Sequence, residues 1–410
     1  MPSAVNRRRL LGGGLAAGWL LSGCDLSVRH GVFNPCKADL PADLRDHPIV
    51  TAAWRGLDPK SVWDAHCHVF GNGDSGSGLW FNPRMEAFWR PREYTQRAFY
   101  IDAACVEYQP GKADASFVQR LLAQCRAMAP GFHALLFAFD WARDANGAPL
   151  MDRSTFHVPD DYVAGLASRH PEHFHWAASI HPRDPRALDR LDAAAARGAR
   201  AVKWLPPAQG IDPADPYCDR FYEKLAALRI PLITHAGEEQ AVHGFGDHLG
   251  NPLRLRRPLD AGVQVVIAHC ASLGSSDDID RGGATRVSNF ELFGRMMDDP
   301  RYRTRLCGDI SAITQANRMS VVRALLERRD WHARLLNGSD YPLPGVVPLI
   351  HLQGLVNRKL LDAAAIEPLR RLRDHNVLLF DFVVKRSLAF DGQGFAASVF
   401  ETAKWLGRPD

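Results

Sequence analysis

Two imidazoles stand two residues apart in His66-Cys67-His68, at the end of the apolar stretch Val62-Trp63-Asp64-Ala65. Successive side chains of a strand alternate faces, so His66 and His68 point the same way. Together they can reach one metal ion, whose nitrogen ligands stand at ~2.0–2.1 Å. Cys67 falls on the opposite face and is not read as a ligand. A single His-X-His is a weak signal, but three further apolar runs strengthen it. Residues 230–234 deliver His235, residues 263–268 deliver His269, and residues 334–339 deliver Asp340. Short runs of this kind, bounded by Gly and Pro, read as parallel strands buried on both faces. Metal-competent side chains at the C-terminal ends of several such strands are what a metal centre at the mouth of a (β/α)8 barrel requires.

Those side chains need a scaffold, and the rest of the sequence supplies one. Further strands are expected over 132–140, 174–181, 199–205 and 304–310, and amphipathic helices over 160–169, 184–196, 217–229, 289–297 and 318–327. Eight strands alternating with helices predict a parallel α/β fold. Candidate ligands spread over at least four strands favour a closed barrel, because an open sheet gathers them at one switch point. After the first strand comes a long loop, rich in Gly and Ser over 71–78 and then in aromatics (Trp80, Phe81, Phe88, Trp89, Tyr94, Phe99, Tyr100). It reads as a mobile partial lid over the site.

A barrel needs ~250 residues and accepts insertions, so the 410-residue chain reads as one barrel over 61–400 with an N-terminal tether and segment over 24–60. The 46% hydrophobic content supports a large core, and a formal charge of +4 is too small to argue for nucleic acid. Zinc-finger spacing, a basic helix and RNA-binding motifs are all missing. Residues 1–23 read as a signal peptide. Arg7-Arg8-Arg9 is its basic region, and the apolar stretch 10–21 is too short to span a bilayer. Leu21-Ser22-Gly23-Cys24 resembles a bacterial lipobox, which implies cleavage before Cys24 and a lipid anchor on it. The arginines suggest the twin-arginine route, with a Sec signal as the alternative. Asp25 resembles a signal that retains such lipoproteins on the inner membrane in some bacteria. The expected location is therefore periplasmic and membrane-anchored. The seven remaining cysteines do not form a disulfide framework. Cys67, Cys270 and Cys307 read as small buried hydrophobes, while an oxidising compartment would permit, without requiring, a Cys36–Cys105 pair.

As a set, Asp64-Ala65-His66-Cys67-His68, Thr234-His235-Ala236-Gly237, Ala268-His269-Cys270 and Gly338-Ser339-Asp340-Tyr341-Pro342 resemble the amidohydrolase superfamily, most closely its amidohydrolase 2 branch of TIM-barrel hydrolases. The resemblance runs from about Val62 to about Leu379. It implies a divalent metal, zinc foremost, held by His66, His68, His235 and Asp340 with room for a water. Asp340 would also take the water's proton and return it to the leaving group, and His269 would orient the water or stabilise an oxyanion.

Lys203, near the end of the fourth expected strand, divides two arrangements. In binuclear relatives a lysine there is carboxylated and bridges two metals, with the histidine at the position of His269 binding the second. In the amidohydrolase 2 branch one ion is usual, and Lys203 would be a free ammonium that pairs with a substrate carboxylate. One ion is the expectation here, two the alternative.

Asp140, His181 and Asp309 also end expected strands and are placed to line the pocket. Glu238 and Glu239 follow His235 closely; a solvated loop is the favoured reading, hydrogen bonding to the metal ligands the alternative. Arg254, Arg256 and Arg257 read as a solvated helix face, with steering of an anionic substrate as the alternative. His173 and His175 read as strand-edge residues, and His243 and His248 receive no role. The expected activity is hydrolysis of an amide, lactone or ester bond of a small-molecule substrate. A decarboxylase or hydratase with the same ligands is the alternative. A non-catalytic metal- or substrate-binding lipoprotein is the third reading. The oligomeric state is left open.

Overall fold

Eight short parallel strands pair in chain order: β1 Trp63–His68, β2 His133–Phe137, β3 Phe174–Ala178, β4 Ala201–Trp204, β5 Leu232–His235, β6 Val265–Ala268, β7 Leu306–Asp309 and β8 Leu335–Leu336. This computed structural model describes residues 32–407 except 243 and 284. The segment expected to be a signal peptide, Cys24, Asp25 and His243 lie outside the described residues. The seam between β8 and β1 is closed by backbone hydrogen bonds: Ala65 N–H to Asn337 O (2.9 Å), Asp340 N–H to His66 O (2.9 Å) and His68 N–H to Tyr341 O (3.0 Å). The fold is the expected (β/α)8 TIM barrel.

Inward-facing residues pack its interior. Trp63, Ala65, Leu135, Phe137, Ala177, Ala201, Ile233, Val266, Cys307 and Leu336 form one buried cluster. Leu406, on the short helix Ala403–Leu406, closes the bottom of that cluster. Thr402 fixes the plug, accepting from Trp63 N–H and donating to Trp63 O, both at 2.8 Å.

The outer layer follows the amphipathic pattern. Helices Asp160–Arg169, Ala187–Ala196, Asp219–Leu228, Asn289–Asp298 and Val322–Glu327 pack outside the strands. All but the first differ from the expected ranges at their ends. The segment before the barrel runs down its side: helix Pro48–Trp54 meets helix Val377–Ser387 through the Trp54 and Phe382 rings, 4.4 Å apart.

Over 71–78 the loop after β1 is tied to Asp114 of helix Ala113–Arg126. The buried carboxylate of Asp114 accepts from the backbone of Asn72 (2.9 Å) and Gly73 (3.1 Å), and from the hydroxyls of Ser75 and Ser77 (2.7 Å each). Further on, Trp80–Phe81 pairs antiparallel with Phe156–His157 of the loop after β2. Cys36 and Cys105 are disulfide-bonded. Cys67, Cys125, Cys218, Cys270 and Cys307 are buried thiols.

Candidate metal centre

Strict alternation along β1 would place Trp63, Ala65 and Cys67 on one face and His66 and His68 on the other. Yet Trp63 and Ala65 line the barrel interior, and the two histidines face the same cavity. A register shift between Asp64 and Cys67 resolves this: a bulge adds a residue and re-aims the side chains after it. The Asp64 carboxylate holds the bulge, accepting from His66 N–H (3.0 Å) and Ser339 N–H (2.8 Å). Cys67 then turns outward into the main core. Gly338 runs so close to the bulge that a Cβ there would stand 2.7 Å from His66 Cβ.

His66 Nε2 lies 3.2 Å from His68 Nε2. Asp340 Oδ1 is 3.5 Å from the first and 3.3 Å from the second. Ligands at ~2.0–2.1 Å from a tetrahedral ion stand ~3.3 Å from one another, so the three atoms have the spacing of three corners of one coordination shell. His235 Nε2 is buried without a hydrogen-bond partner. A buried polar atom left unpaired costs free energy, and a metal bond would supply the missing partner. The donor set fits a zinc-type ion.

A second group, His66, His269 and Asp309, also converges, but hydrogen bonds account for it. His66 Nδ1 is 2.9 Å from Asp309 Oδ2. Asp309 Oδ1 accepts from His269 N–H (2.9 Å), Ser311 N–H (3.0 Å) and the Ser311 hydroxyl. His269 Nδ1 is 2.8 Å from Ser311 Oγ. These contacts fix the Nδ1 sides of both rings and leave Nε2 for a metal or substrate.

Electrostatics matches metal binding, which needs neutral imidazoles and an ionised carboxylate. Burial lowers His66 to about 4, with Lys203 adding to the effect, and lowers His235 to about 3, aided by Arg318 and Lys203. Burial would raise the Asp340 carboxyl, but His269, His68 and His66 hold it well below its ordinary value. The backbone is left-handed at Asp340 (φ 62°) and across His269, Cys270 and Ala271 (φ 55°, 50°, 48°), an uncommon conformation that clusters at functional sites.

Lys203 is buried beside these candidate ligands, its Nζ 3.3 Å from His66 Nε2 and 4.7 Å from the Phe137 ring centroid. Burial lowers its pKa to about 8. Among the described residues no carboxylate lies within ion-pair distance of Lys203. The same holds for Arg318, only 6% exposed, whose Nε has no partner and whose Nη1 donates to Ser272 Oγ at 3.2 Å. Arg318 gave no signal in the sequence because it reads as the polar start of a helix.

Glu239 corrects the expected solvated loop. Its side chain is 7% exposed, 3.5 Å from His235 Nδ1, and burial raises its pKa to about 7. Its other oxygen accepts from Ala241 N–H at 2.6 Å, so the loop wraps the carboxylate around the histidine. Glu238 stays nearer solvent, accepting from Gln240 Nε2 at 2.8 Å.

Asp140 and His181, expected to line the pocket, have their polar atoms taken up by neighbouring residues. Asp140 Oδ2 accepts from Arg190 (2.7 Å) and from His181 N–H (2.9 Å). The His181 ring spans Gln209 O (3.1 Å) and Arg183 N–H (3.1 Å). Both residues are committed to the loops that join β2, β3 and β4. His173 lies just before β3, and the His175 ring meets Trp63 at a tilt at the bottom of the barrel, centroids 4.0 Å apart. His248 belongs to the 3-10 turn Asp247–Gly250, and Arg254, Arg256 and Arg257 pair with Asp212, Asp280 and Asp219.

No curated protein matches the chain significantly. Among solved structures it is similar to an uncharacterised TIM-barrel protein of Bordetella bronchiseptica (17% identity, 75% of this chain and 94% of that one, TM-score 0.45). It is also similar to the 5-carboxyvanillate decarboxylase LigW of Sphingomonas paucimobilis (14%, 70% and 91%, TM-score 0.41). A third likeness is to the Metarhizium anisopliae IDCase (13%, 87% and 98%, TM-score 0.45). The family model of the amidohydrolases, Amidohydro_2, matches residues 63–369, most of the length of the chain. The chain belongs to the amidohydrolase family, in its amidohydrolase 2 branch, whose members are generally enzymes that use divalent metals.

Proposed function

We propose that this protein is a metal-dependent hydrolase that cleaves an amide, lactone or ester bond of a small molecule. The observation that carries this reading is the convergence of His66 Nε2, His68 Nε2 and Asp340 Oδ1 at tetrahedral spacing; His235, outside that close group, contributes a buried Nε2 with no hydrogen-bond partner. His66, His68, His235 and Asp340 would hold one ion, zinc foremost. When bound, the ion supplies Lewis acidity and lowers the pKa of a water beside it.

The chain's own groups do the rest. Asp340, kept ionised by its histidine neighbours, accepts the water's proton and returns it to the leaving group. His269, its Nδ1 side fixed by Ser311, presents Nε2 to orient the water or to donate to a developing oxyanion. Lys203 and Arg318, buried cations without carboxylate partners among the described residues, draw an anionic group of the substrate toward the ligands. Glu239 orients His235.

Those two cations also favour a second reading, decarboxylation, in which the anionic group is the one removed. Metal analysis of the purified protein tests the shared core of both: about one zinc per chain is expected, lost together with activity on chelation. Product analysis over lactones, amides and aromatic carboxylates separates the two. Water incorporated into a new acid indicates the hydrolase, released carbon dioxide the decarboxylase. A metal-free protein that stays active would refute both.

We also propose that residues 1–23 are a signal peptide, that Cys24 is lipidated, that 24–60 form the tether and N-terminal segment, and that the protein faces the periplasm from the inner membrane. The Cys36–Cys105 disulfide supports an oxidising compartment. Cys24→Ala should leave unprocessed precursor without lipid label; unchanged processing and labelling would remove this assignment.

A further inference from the structure

The outer rim of the barrel mouth carries two aromatic side chains with no place in the core. Helix Pro91–Ile101 lies over the loop after β5: Gln96 Nε2 donates to Gln240 O (3.3 Å) and Tyr100 OH to Ala241 O (3.4 Å). Between this helix and the 3-10 turn Pro83–Glu86, Phe88 and Trp89 stand 71% exposed each, their rings meeting edge-on at 5.0 Å. Tyr94, on the same helix, is exposed too. Scattered surface apolar residues need no explanation, but adjacent large aromatics on a rim mark an interaction site. Arg84, Arg90 and Arg92 flank them in sequence and are exposed, Arg90 also pairing with Glu93 at 3.4 Å. Over residues 84–97 four arginines face two glutamates, a local excess of positive charge.

The N-terminal segment reaches the same rim. The Phe33 ring packs edge-on to Phe99 of that helix, centroids 6.0 Å apart. Asn34 Nδ2 donates to Ala103 O at 2.9 Å, Cys36 is bonded to Cys105, and Phe33 bridges to Val346 in the loop after β8. From Cys24 to Val32 the chain can span at most ~26–29 Å. An acyl group on Cys24 would therefore place the mouth of the barrel, rather than its plugged bottom, near the bilayer.

We propose that the Phe88–Trp89 edge, with Arg84, Arg90 and Arg92, is a membrane-surface contact that seats the mouth of the barrel on an anionic phospholipid leaflet. Indole and phenyl rings settle at the headgroup level, and arginines flanking them meet lipid phosphates. A tether sets distance but not orientation; this edge sets orientation, so that substrate enters from the membrane–water boundary. The proposal rests on the lipid-anchor reading for its geometry, and the test separates the two.

The purified full chain, its N-terminus characterised by mass spectrometry, is mixed with phosphatidylglycerol–phosphatidylethanolamine vesicles whose acyl chains are brominated. Wild-type tryptophan fluorescence should be quenched, and Trp89→Phe should remove most of the quenched component. In flotation with the same vesicles unbrominated, the unacylated form should partition at low salt. Phe88→Ser/Trp89→Ser should cut that partition about tenfold, and Arg84→Gln/Arg90→Gln/Arg92→Gln should abolish its salt dependence. An acylated chain whose Trp89 stays unquenched overturns the contact and leaves the anchor standing. A mature chain from its native host that carries no acyl group on Cys24, yet floats through Phe88 and Trp89, removes the anchor and retains the contact. Burial of Trp89 on addition of substrate without vesicles, or in a dimer of this chain, overturns the proposal in favour of a lid or a self-interface.

Discussion

His66 Nδ1 stands 2.9 Å from Asp309 Oδ2, while Nε2 of the same ring faces His68 and Asp340. An imidazole whose one nitrogen donates to a buried carboxylate has its lone pair fixed on the other, which is the tautomer a metal needs. Burial would raise the Asp309 carboxyl, but His66 and His269 hold it ionised. Asp309→Asn should therefore weaken zinc binding ~10–100-fold with the fold intact. Chelator competition, read beside circular dichroism, measures this. Unchanged affinity would show that Ser311, 3.2 Å from the same nitrogen, suffices to orient the ring.

Asp340 and Lys203 separate chemistry from metal count. Asp340→Asn keeps an oxygen ligand but cannot accept a proton. Turnover should fall ~10²–10⁴-fold while most of the metal is retained. Lys203→Ala should leave one metal per chain and raise KM for an anionic substrate more than it lowers kcat. Loss of a second metal equivalent, restored by added short-chain carboxylic acids, would instead establish a carboxylated lysine bridging two ions. Lys203 Nζ, 3.3 Å from His66 Nε2, is close enough to the proposed ligands for that alternative to be a real one.

The parts of the site legible in the sequence are those whose chemistry lies in a residue type at a strand end. His66, His68, His235, His269, Asp340 and Lys203 all occupy the mouth of the barrel for that reason. What escaped depends on contacts across the chain. The bulge at Asp64 decides which face of β1 looks inward, and it forms because Ser339, on the far side of the seam, donates to the same carboxylate. Glu239 is charged and follows a loop signal, so only the fold of that loop around His235 buries it. Arg318 looks like a helix start. The plug at Thr402 and Leu406 meets β1 from the other end of the chain, a pairing no local pattern encodes. Asp140 and His181 had the right position along their strands, but their polar atoms are satisfied by Arg190, Arg183 and Gln209.

Beneath the candidate metal centre lies a buried ion pair whose loss should be felt in stability. Lys385 Nζ is 2.6 Å from Asp381 Oδ2 and also donates to Gly338 O, just before the Ser339-Asp340 turn. Both side chains are buried. Burial raises the Asp381 carboxyl to about 7 even beside Lys385, so without Lys385 it takes up a proton and the loss stays below the ~3–5 kcal/mol of a fully uncompensated buried charge. Lys385→Met should lower the urea midpoint of the metal-free protein accordingly, and the Asp381→Leu/Lys385→Met double variant should recover part of the loss. A single variant as stable as wild type would mean that water reaches the pair.

His175 offers a pH test away from the metal centre. Its ring stacks on His133, centroids 4.6 Å apart, and meets Trp63 at a tilt, centroids 4.0 Å apart. Burial first, then the like charges of His133 and Arg200, lowers its pKa to about 3. The unfolded chain returns the ring to about 6.5, so between those values the unfolded state binds the extra proton. This contribution to stability is fully present above pH 6.5 and is lost as pH falls toward 3. Other buried histidines act in the same direction, while Asp64 and Glu239, with raised pKa values, act against them. Only a comparison with a non-titrating ring isolates the term. His175→Phe keeps the stack and cannot protonate. Its urea-unfolding free energy should therefore gain on wild type as pH drops from 7 to 4, by at most ~1.4 kcal/mol per pH unit, and less because the ring is partly exposed. Parallel pH profiles for the two proteins would place His175 in contact with water throughout.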